Sequence, residues 1–275
     1  MRLLCLLWMF CLSSAALAAP KAELWPRWQA HDEASTATIA HEAWDALLAT
    51  QVRPDASGIH RVGYARFSAA DKAALAAYIE RLQALPISRY ARTEQRAYWI
   101  NLYNAKTVQL VVQHYPVASI RDIRLGGSLT ARFFGGPWAA ETLKVEGVAL
   151  SLDDIEHRIL RPIWRDPRTH YAVNCASLGC PNLATKAYTA ERMEAMLDEG
   201  ARAYVNHPRA ATLERGKLVV SSIYVWFIDD FGGDEAGILA HLRRYAAPAK
   251  LAELAPFKSL GDNSDRYDWT LNDAR

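Results

Sequence analysis

The chain has 275 residues, 51% of them hydrophobic and 23% charged, with 32 basic against 30 acidic side chains. That near-neutral balance excludes the basic surface that nucleic acid or an anionic membrane selects, and the length lets one compact domain bury roughly three quarters of its unfolded surface. Nine Trp and twelve Tyr fit a large core, and fit equally a groove that stacks sugars or holds peptides.

The first eighteen residues read as a secretory signal peptide, with Arg2 as the positive start, Leu3 to Leu12 as the apolar core and Ala16-Leu17-Ala18 as the cleavage site. Removing Arg2 lowers the basic count to 31 against 30 acidic. Residues 19–275 are then expected as a single domain, with its core at about 40–272, in the periplasm or secreted. An apolar run this short falls below the roughly 20 residues a spanning helix needs. No later segment is long and uncharged enough, so no transmembrane anchor is expected.

Ser35 to Gln51 places Ile39, Trp44, Leu47 and Leu48 at helical spacing behind a serine, which predicts an amphipathic helix. His60 to Phe67 alternates like a strand. Ser68 with Asp71 opens a second helix that Pro86 ends, and a third runs from about Thr93 to His114 before Pro116. Ser119 to Trp138 is loop-like, with Gly126-Gly127 and Gly135-Gly136-Pro137 around Phe133-Phe134, a lid or groove wall. Glu141 to Leu152 reads as a hairpin turning at Glu146-Gly147, and Ser151 with Asp154 caps a helix that Pro162 interrupts. A strand is expected over His170 to Cys175, a helix over Thr189 to Asn206, a strand pair around Arg215-Gly216, and helices over Ser222 to Phe231 and Asp234 to Tyr245. Without regular alternation of strand and long helix, this order predicts an α+β fold with a small antiparallel sheet. No Gly-rich loop joins a strand to a helix in the way that cradles phosphate, which argues against nucleotide chemistry.

Chemistry concentrates at His170-Tyr171-Ala172-Val173-Asn174-Cys175-Ala176-Ser177-Leu178-Gly179-Cys180-Pro181, which holds the only cysteines beyond the first eighteen residues. Four fates stay open: a Cys175–Cys180 disulfide in an oxidising compartment, a pair of inert buried thiols, a nucleophilic Cys175, or two zinc ligands lacking two more. A nucleophile needs a base. Asp153 and His157 lie four residues apart on one predicted helix face, so His157 leads as base with Asp153 to orient it, Glu156 points elsewhere, and His170 stands in reserve. If the turn after Cys175 is helical, the amides of Ala176 to Leu178 face the sulfur and lower its pKa. Asn101 and Asn104 sit in the apolar third helix as structural ties or as donors to substrate or an oxyanion, and Arg96 is a cation for Glu156 or a carboxylate ligand.

Three segments, Tyr98 to Ala105, Ser151 to His157 and His170 to Pro181, together resemble the domain of unknown function 547 family of bacteria and plants. The closing Tyr267-Asp268-Trp269-Thr270-Leu271-Asn272 is similar to the tail of its exported bacterial members. The resemblance implies, distantly, a papain- or transglutaminase-like fold, although those enzymes place the nucleophile before the histidine strand.

The reading is an exported cysteine-dependent hydrolase or acyl transferase acting on amide bonds in peptides or cell-wall material. Cys175 attacks, His157 takes the proton, Asp153 or Glu156 orients it, and Asn101 or Asn104 helps bind the oxyanion. Arg96 and His170 are candidate substrate contacts, and no metal or cofactor is required. The alternative is a non-enzymatic binding or scaffold domain with a structural Cys175–Cys180 disulfide.

Overall fold

A computed structural model describes residues 19–125, 136–261 and 265–274. The leader at residues 1–18 and the lid reading for Phe133-Phe134 lie outside the described residues.

Three helices build the first half. Helix α1 (Glu42–Gln51) leads through the hairpin β1 (Val52–Pro54) and β2 (His60–Val62) to α2 (Ala69–Gln83), which packs on α3 (Arg92–His114). Ser68 and Asp71 form the reciprocal cap expected at the start of α2. Helix α3 is buried without interruption from Gln95 to Val108, the pattern of a helix surrounded by protein. Trp44, Tyr78, Trp99, Leu82 and Leu110 fill the core around it.

A second hairpin, β3 (Leu143–Val145) and β4 (Val148–Leu150), turns at Glu146 and Gly147, both with positive φ (47° and 81°), as a two-residue turn of matching twist requires. Ser151 and Asp154 then bond reciprocally and start a π-helical stretch, Asp154–Leu160, that runs straight into α4 (Arg161–Trp164). Pro162 does not interrupt it. The carbonyls that an N–H at this position would have reached, those of His157 and Arg158, accept instead from Glu23 and Trp25.

After the short helix α5 (Thr169–Ala172) come α6 (Met193–Val205), β5 (Ala211–Glu214) and β6 (Lys217–Ser221), then α7 (Ser222–Trp226), α8 (Glu235–Tyr245), α9 (Pro248–Leu254) and β7 (Asp265–Arg266). β5 and β6 are antiparallel, turning at Arg215 and Gly216, and β7 adds to β6 in parallel. A second group of core side chains, including Tyr171, Tyr204, Tyr224, Phe231 and Leu242, joins these elements. The architecture is α+β in one compact domain, with small antiparallel sheets and one parallel edge.

Four local expectations change. Residues 35–41 are not helical, and α1 starts at Glu42. The strand at His60 ends at Val62 and gives way to a tight turn at Tyr64–Arg66. The helix expected from Thr189 starts at Met193. The expected strand into Cys175 is a helical turn from Thr169 to Ala172. The Asp166 carboxylate accepts the Arg168 N–H while the Asp166 and Pro167 carbonyls accept from Thr169 and His170, so local hydrogen bonding overrides the alternation of side chains. Among the described residues, no helix is long and apolar enough to cross a membrane.

Candidate functional site around Cys175

Past α5 the chain extends through Val173 and Asn174 and turns back on itself. Asn104 fixes this exit: its Nδ2 donates to the Ala172 carbonyl and its Oδ1 accepts the Asn174 N–H, both at 2.8 Å. Asn174 staples the loop from inside, its Oδ1 accepting the Ala176 N–H (2.9 Å) and its Nδ2 donating to the Pro181 carbonyl (2.7 Å). Ala176, fully buried, adopts φ +58°, a left-handed conformation that costs an alanine about 1–2 kcal/mol. The surroundings enforce it. Residues 268–272 bind along the outside of the loop, with Leu178 N–H donating to Thr270 O, Gly179 N–H to Asp268 O, and Asn272 N–H to Ala176 O. A Cβ at Gly179 would lie 2.8 Å from the Asp268 nitrogen, so only glycine fits that contact.

These bonds also correct the expected source of thiolate stabilisation. The turn is not helical, and the amides of Ala176 and Leu178 are spent on Asn174 and Thr270 rather than on sulfur. The Cys180 thiol and two hydroxyls serve instead. Tyr267 Oη lies 2.9 Å from Cys175 Sγ and Ser177 Oγ lies 3.4 Å from it. Ser177 donates to the Tyr267 oxygen at 2.9 Å, which leaves the Tyr267 hydrogen for sulfur. The Cys175 N–H points at Cys180 Sγ, 3.0 Å away.

Hydrogen bonding with Cys180 is the largest influence lowering the Cys175 pKa, with Ser177 and Tyr267 adding to it against the opposing effects of burial and the Glu156 charge. Burial pushes the Cys180 thiol and the Tyr267 phenol up, so Cys175 ionises first of the three. Both cysteines are free thiols, Cys175 partly exposed and Cys180 buried. The disulfide expected in the scaffold reading is therefore absent from this structure.

Beside the loop lies a cluster of acids and imidazoles. Glu156 and His157 come from the π-helical stretch, His170 from α5, Arg161 from α4, and Asp230 from the turn Ile228–Phe231. His170 Nε2 is 2.7 Å from Asp230 Oδ2, and its Nδ1 faces Glu156 Oε1 at 3.7 Å. Tyr103 donates to the other Glu156 oxygen at 2.9 Å. Phe227 stacks on the His170 ring at 4.4 Å. Although burial pushes the Asp230 carboxyl upward, hydrogen bonds from His170 and Arg161 hold it at about 2.

Within this cluster His157 is not placed as the base expected of it. Arg161 donates to its Nδ1 at 3.0 Å, and burial, the leading cause, pushes the imidazole down to about 4, leaving it neutral with its proton on Nε2. Asp153 is 3.7 Å from that Nε2, beyond hydrogen-bonding range, and burial followed by the charges of Glu156 and Asp154 raises its carboxyl to about 7. No hydrogen bond joins Cys175 to His157 or to His170. Glu156 is the member of the cluster whose charge acts on the thiol, and Tyr103 feels both Glu156 and Cys175.

The remaining candidates belong to the scaffold. Asn101 bonds both the N–H and the carbonyl of Tyr188 (3.0 and 2.8 Å) and touches His41. Arg96 pairs with Asp166 at 2.9 Å and Glu194 at 3.6 Å rather than with Glu156. Among the described residues, no group of three or more His, Cys, Asp or Glu side chains is arranged to hold a metal ion.

Residues that the sequence reading did not single out complete the site. Ser177 and Asn174 sit inside the cysteine segment and Tyr267 inside the similar tail, so their positions were marked but their roles were not. Tyr103 likewise lies in the Tyr98–Ala105 segment with no role given to it, and Arg161 and Asp230 carry no sequence signal. Around Tyr267, half-buried Trp226 and Trp269 rings lie at 4.9 and 4.6 Å, and Trp138 and Arg121 pack on Trp269.

Residues 87–205 match the model of the family described as protein of unknown function, DUF547. The match spans Cys175, Ser177, Glu156, His170 and Asn104, and stops before Asp230 and Tyr267. No curated protein and no solved structure matches the chain. The distant papain- or transglutaminase-like relation is accordingly unsupported.

Proposed function

We propose that this chain, a member of the DUF547 family, is an exported thiol enzyme that transfers or hydrolyses acyl groups at amide bonds, with Cys175 as nucleophile. The observation that carries the reading is that Cys175, a partly exposed residue, has its sulfur within reach of two hydroxyls, on a loop held in a strained conformation by its neighbours. Strain of this kind collects where geometry serves function. The Cys175 thiolate adds to the carbonyl carbon, the C–N bond breaks, the amine leaves with a proton, and water or a second amine then takes the acyl group from the thioester. Glu156, backed by His170 and Asp230, is the proton carrier, in the place first given to His157. Tyr267 and Ser177 hold the thiolate and then donate toward the carbonyl oxygen.

Peptides or cell-wall material are the proposed substrates, and export rests on the leader-like first eighteen residues. Recovery of a mature chain beginning at Ala19 outside the cytoplasm supports export with cleavage; an intact N terminus there refutes the cleavage, and retention in the cytoplasm refutes the export.

The test of the chemistry is labelling of the native protein, first by a thiol alkylator and then by an activated ester. Cys175 is expected to react without prior reductant, with a pH midpoint below that of an ordinary cysteine, and to accumulate an acyl adduct absent from Cys175→Ser. A native protein whose Cys175 resists both reagents ends the proposal. The scaffold alternative predicts that outcome, together with a mass two hydrogens below that of the reduced chain.

A further inference from the structure

Cys180 has no part in the amide chemistry proposed for Cys175. It is a buried thiol, 3% exposed, inside the loop of a reactive cysteine, and its sulfur receives the Cys175 N–H. With N–Cα about 1.5 Å, that 3.0 Å contact puts Cys180 Sγ within about 4.5 Å of the Cys175 Cα, a separation from which the two sulfurs can bond by turning side chains alone. Of the two residues, Cys175 is the more exposed.

We propose that Cys175 and Cys180 form a peroxide-responsive dithiol in which Cys175 is oxidised first and Cys180 resolves it. The inference rests on the thiol reactivity of Cys175 assigned above, and not on the amide chemistry. In the first step the Cys175 thiolate attacks one oxygen of a hydroperoxide. The O–O bond breaks, sulfur is oxidised to sulfenic acid, and the other oxygen leaves as water or an alcohol after taking a proton. In the second step Cys180 sulfur attacks Cys175 sulfur, the S–O bond breaks, and the departing hydroxide takes the Cys180 proton to leave as water. A dithiol reductant reverses the change.

The high pKa that burial gives Cys180 fits this order, because a protonated, shielded thiol does not meet the oxidant itself. Closing the bond turns Cys175 Sγ away from Tyr267 and Ser177, so the nucleophile is withdrawn and protected from further oxidation together. The surrounding loop is already pinned at Asn174, Gly179 and Asn272, so little backbone has to move.

The experiment treats the full reduced chain with equimolar hydrogen peroxide and follows intact mass and alkylation. The wild-type protein is expected to become two hydrogens lighter and to lose alkylation at Cys175 at least about tenfold, with both recovered by dithiothreitol. Cys180→Ser loses the contact that most lowers the Cys175 pKa, so it is compared at a pH high enough for its reduced Cys175 to alkylate as fast as the wild type's. There it is expected to trap a dimedone adduct on Cys175 after peroxide and to proceed to the sulfinic acid. If wild type and Cys180→Ser reach the sulfinic acid at the same rate, or if peroxide leaves alkylation of Cys175 intact, the dithiol proposal fails while the nucleophile reading stands. A reduced wild-type protein that never alkylates at Cys175 overturns both, and is recognisable before peroxide is added.

Discussion

Asn101 and Asn104 on α3, and the loop that carries Cys175, are the two places where this apolar sequence shows conspicuous polar groups, and they behave in opposite ways. Every hydrogen-bonding atom described for the asparagine amides is spent on backbone or on a buried histidine, whereas Cys175 is a partly exposed residue whose sulfur meets hydroxyls. The difference separates groups that define a shape from a group that has something left to give. A buried amide with its valences filled rigidifies. A polarised atom at the surface of a rigid loop can react.

Acidification perturbs both regions and carries the largest expected effect. His41, which touches Asn101, and His157, beside Glu156, are each held near 4, mainly by burial. Their unfolded counterparts protonate near 6.5 while the folded forms resist, so stability is fully present above pH 6.5 and is lost as the pH falls from there toward 4. The loss is on the order of 4 kcal/mol for the two together. Asp153 works in the other direction, regaining about 1 kcal/mol over the same interval after allowance for its exposure, because its folded form is already protonated below pH 7. Urea titrations at pH 7 and pH 4.5 measure the net drop. His41→Gln is expected to flatten the curve without altering thiol labelling, and equal steepness in that variant would break the assignment.

Asn104→Leu comes next, at about 3 kcal/mol, because the Ala172 carbonyl and the Asn174 N–H are left buried without partners. Chemical denaturation reads this value, and a cost below about 1 kcal/mol would show that the loop exit is not set by α3. Tyr267→Phe is smaller, about 1 kcal/mol in stability, but it is expected to slow alkylation of Cys175 near neutral pH several-fold by raising the thiol pKa. An unchanged pH profile would remove Tyr267 from the site. Cys175→Ser is smallest in stability, under about 1 kcal/mol, and abolishes labelling altogether; a large fall in melting temperature would place Cys175 with the asparagines as a structural group.

Much of the fold was legible because its signals are local. Ser68 with Asp71, Ser151 with Asp154, and the turns at Glu146-Gly147 and Arg215-Gly216 act within four residues and form as expected. The long apolar run of α3 was equally clear. His170 to Cys175 misled because six alternating residues carry less information than the hydrogen bonds of Asp166 just upstream. The site was half legible. Cys175, Ser177 and Asn174 share one segment, but Tyr267 is 92 residues away from Cys175, and the Asp230 partner of His170 is 60 residues away, so no spacing rule connects them. Asp153 and His157 do share a face, 3.7 Å apart at Nε2, but the spacing did not show that Arg161 takes the other imidazole nitrogen or that burial holds the ring neutral.

The stretch that supplies Tyr267 and clamps the cysteine loop follows every helix of the described fold in chain order. Until residues 267–272 have docked, the chain therefore carries Cys175 without the Tyr267 hydroxyl and without the clamp on its loop. The last of the contacts that acidify the sulfur thus arrives from the far end of the described chain.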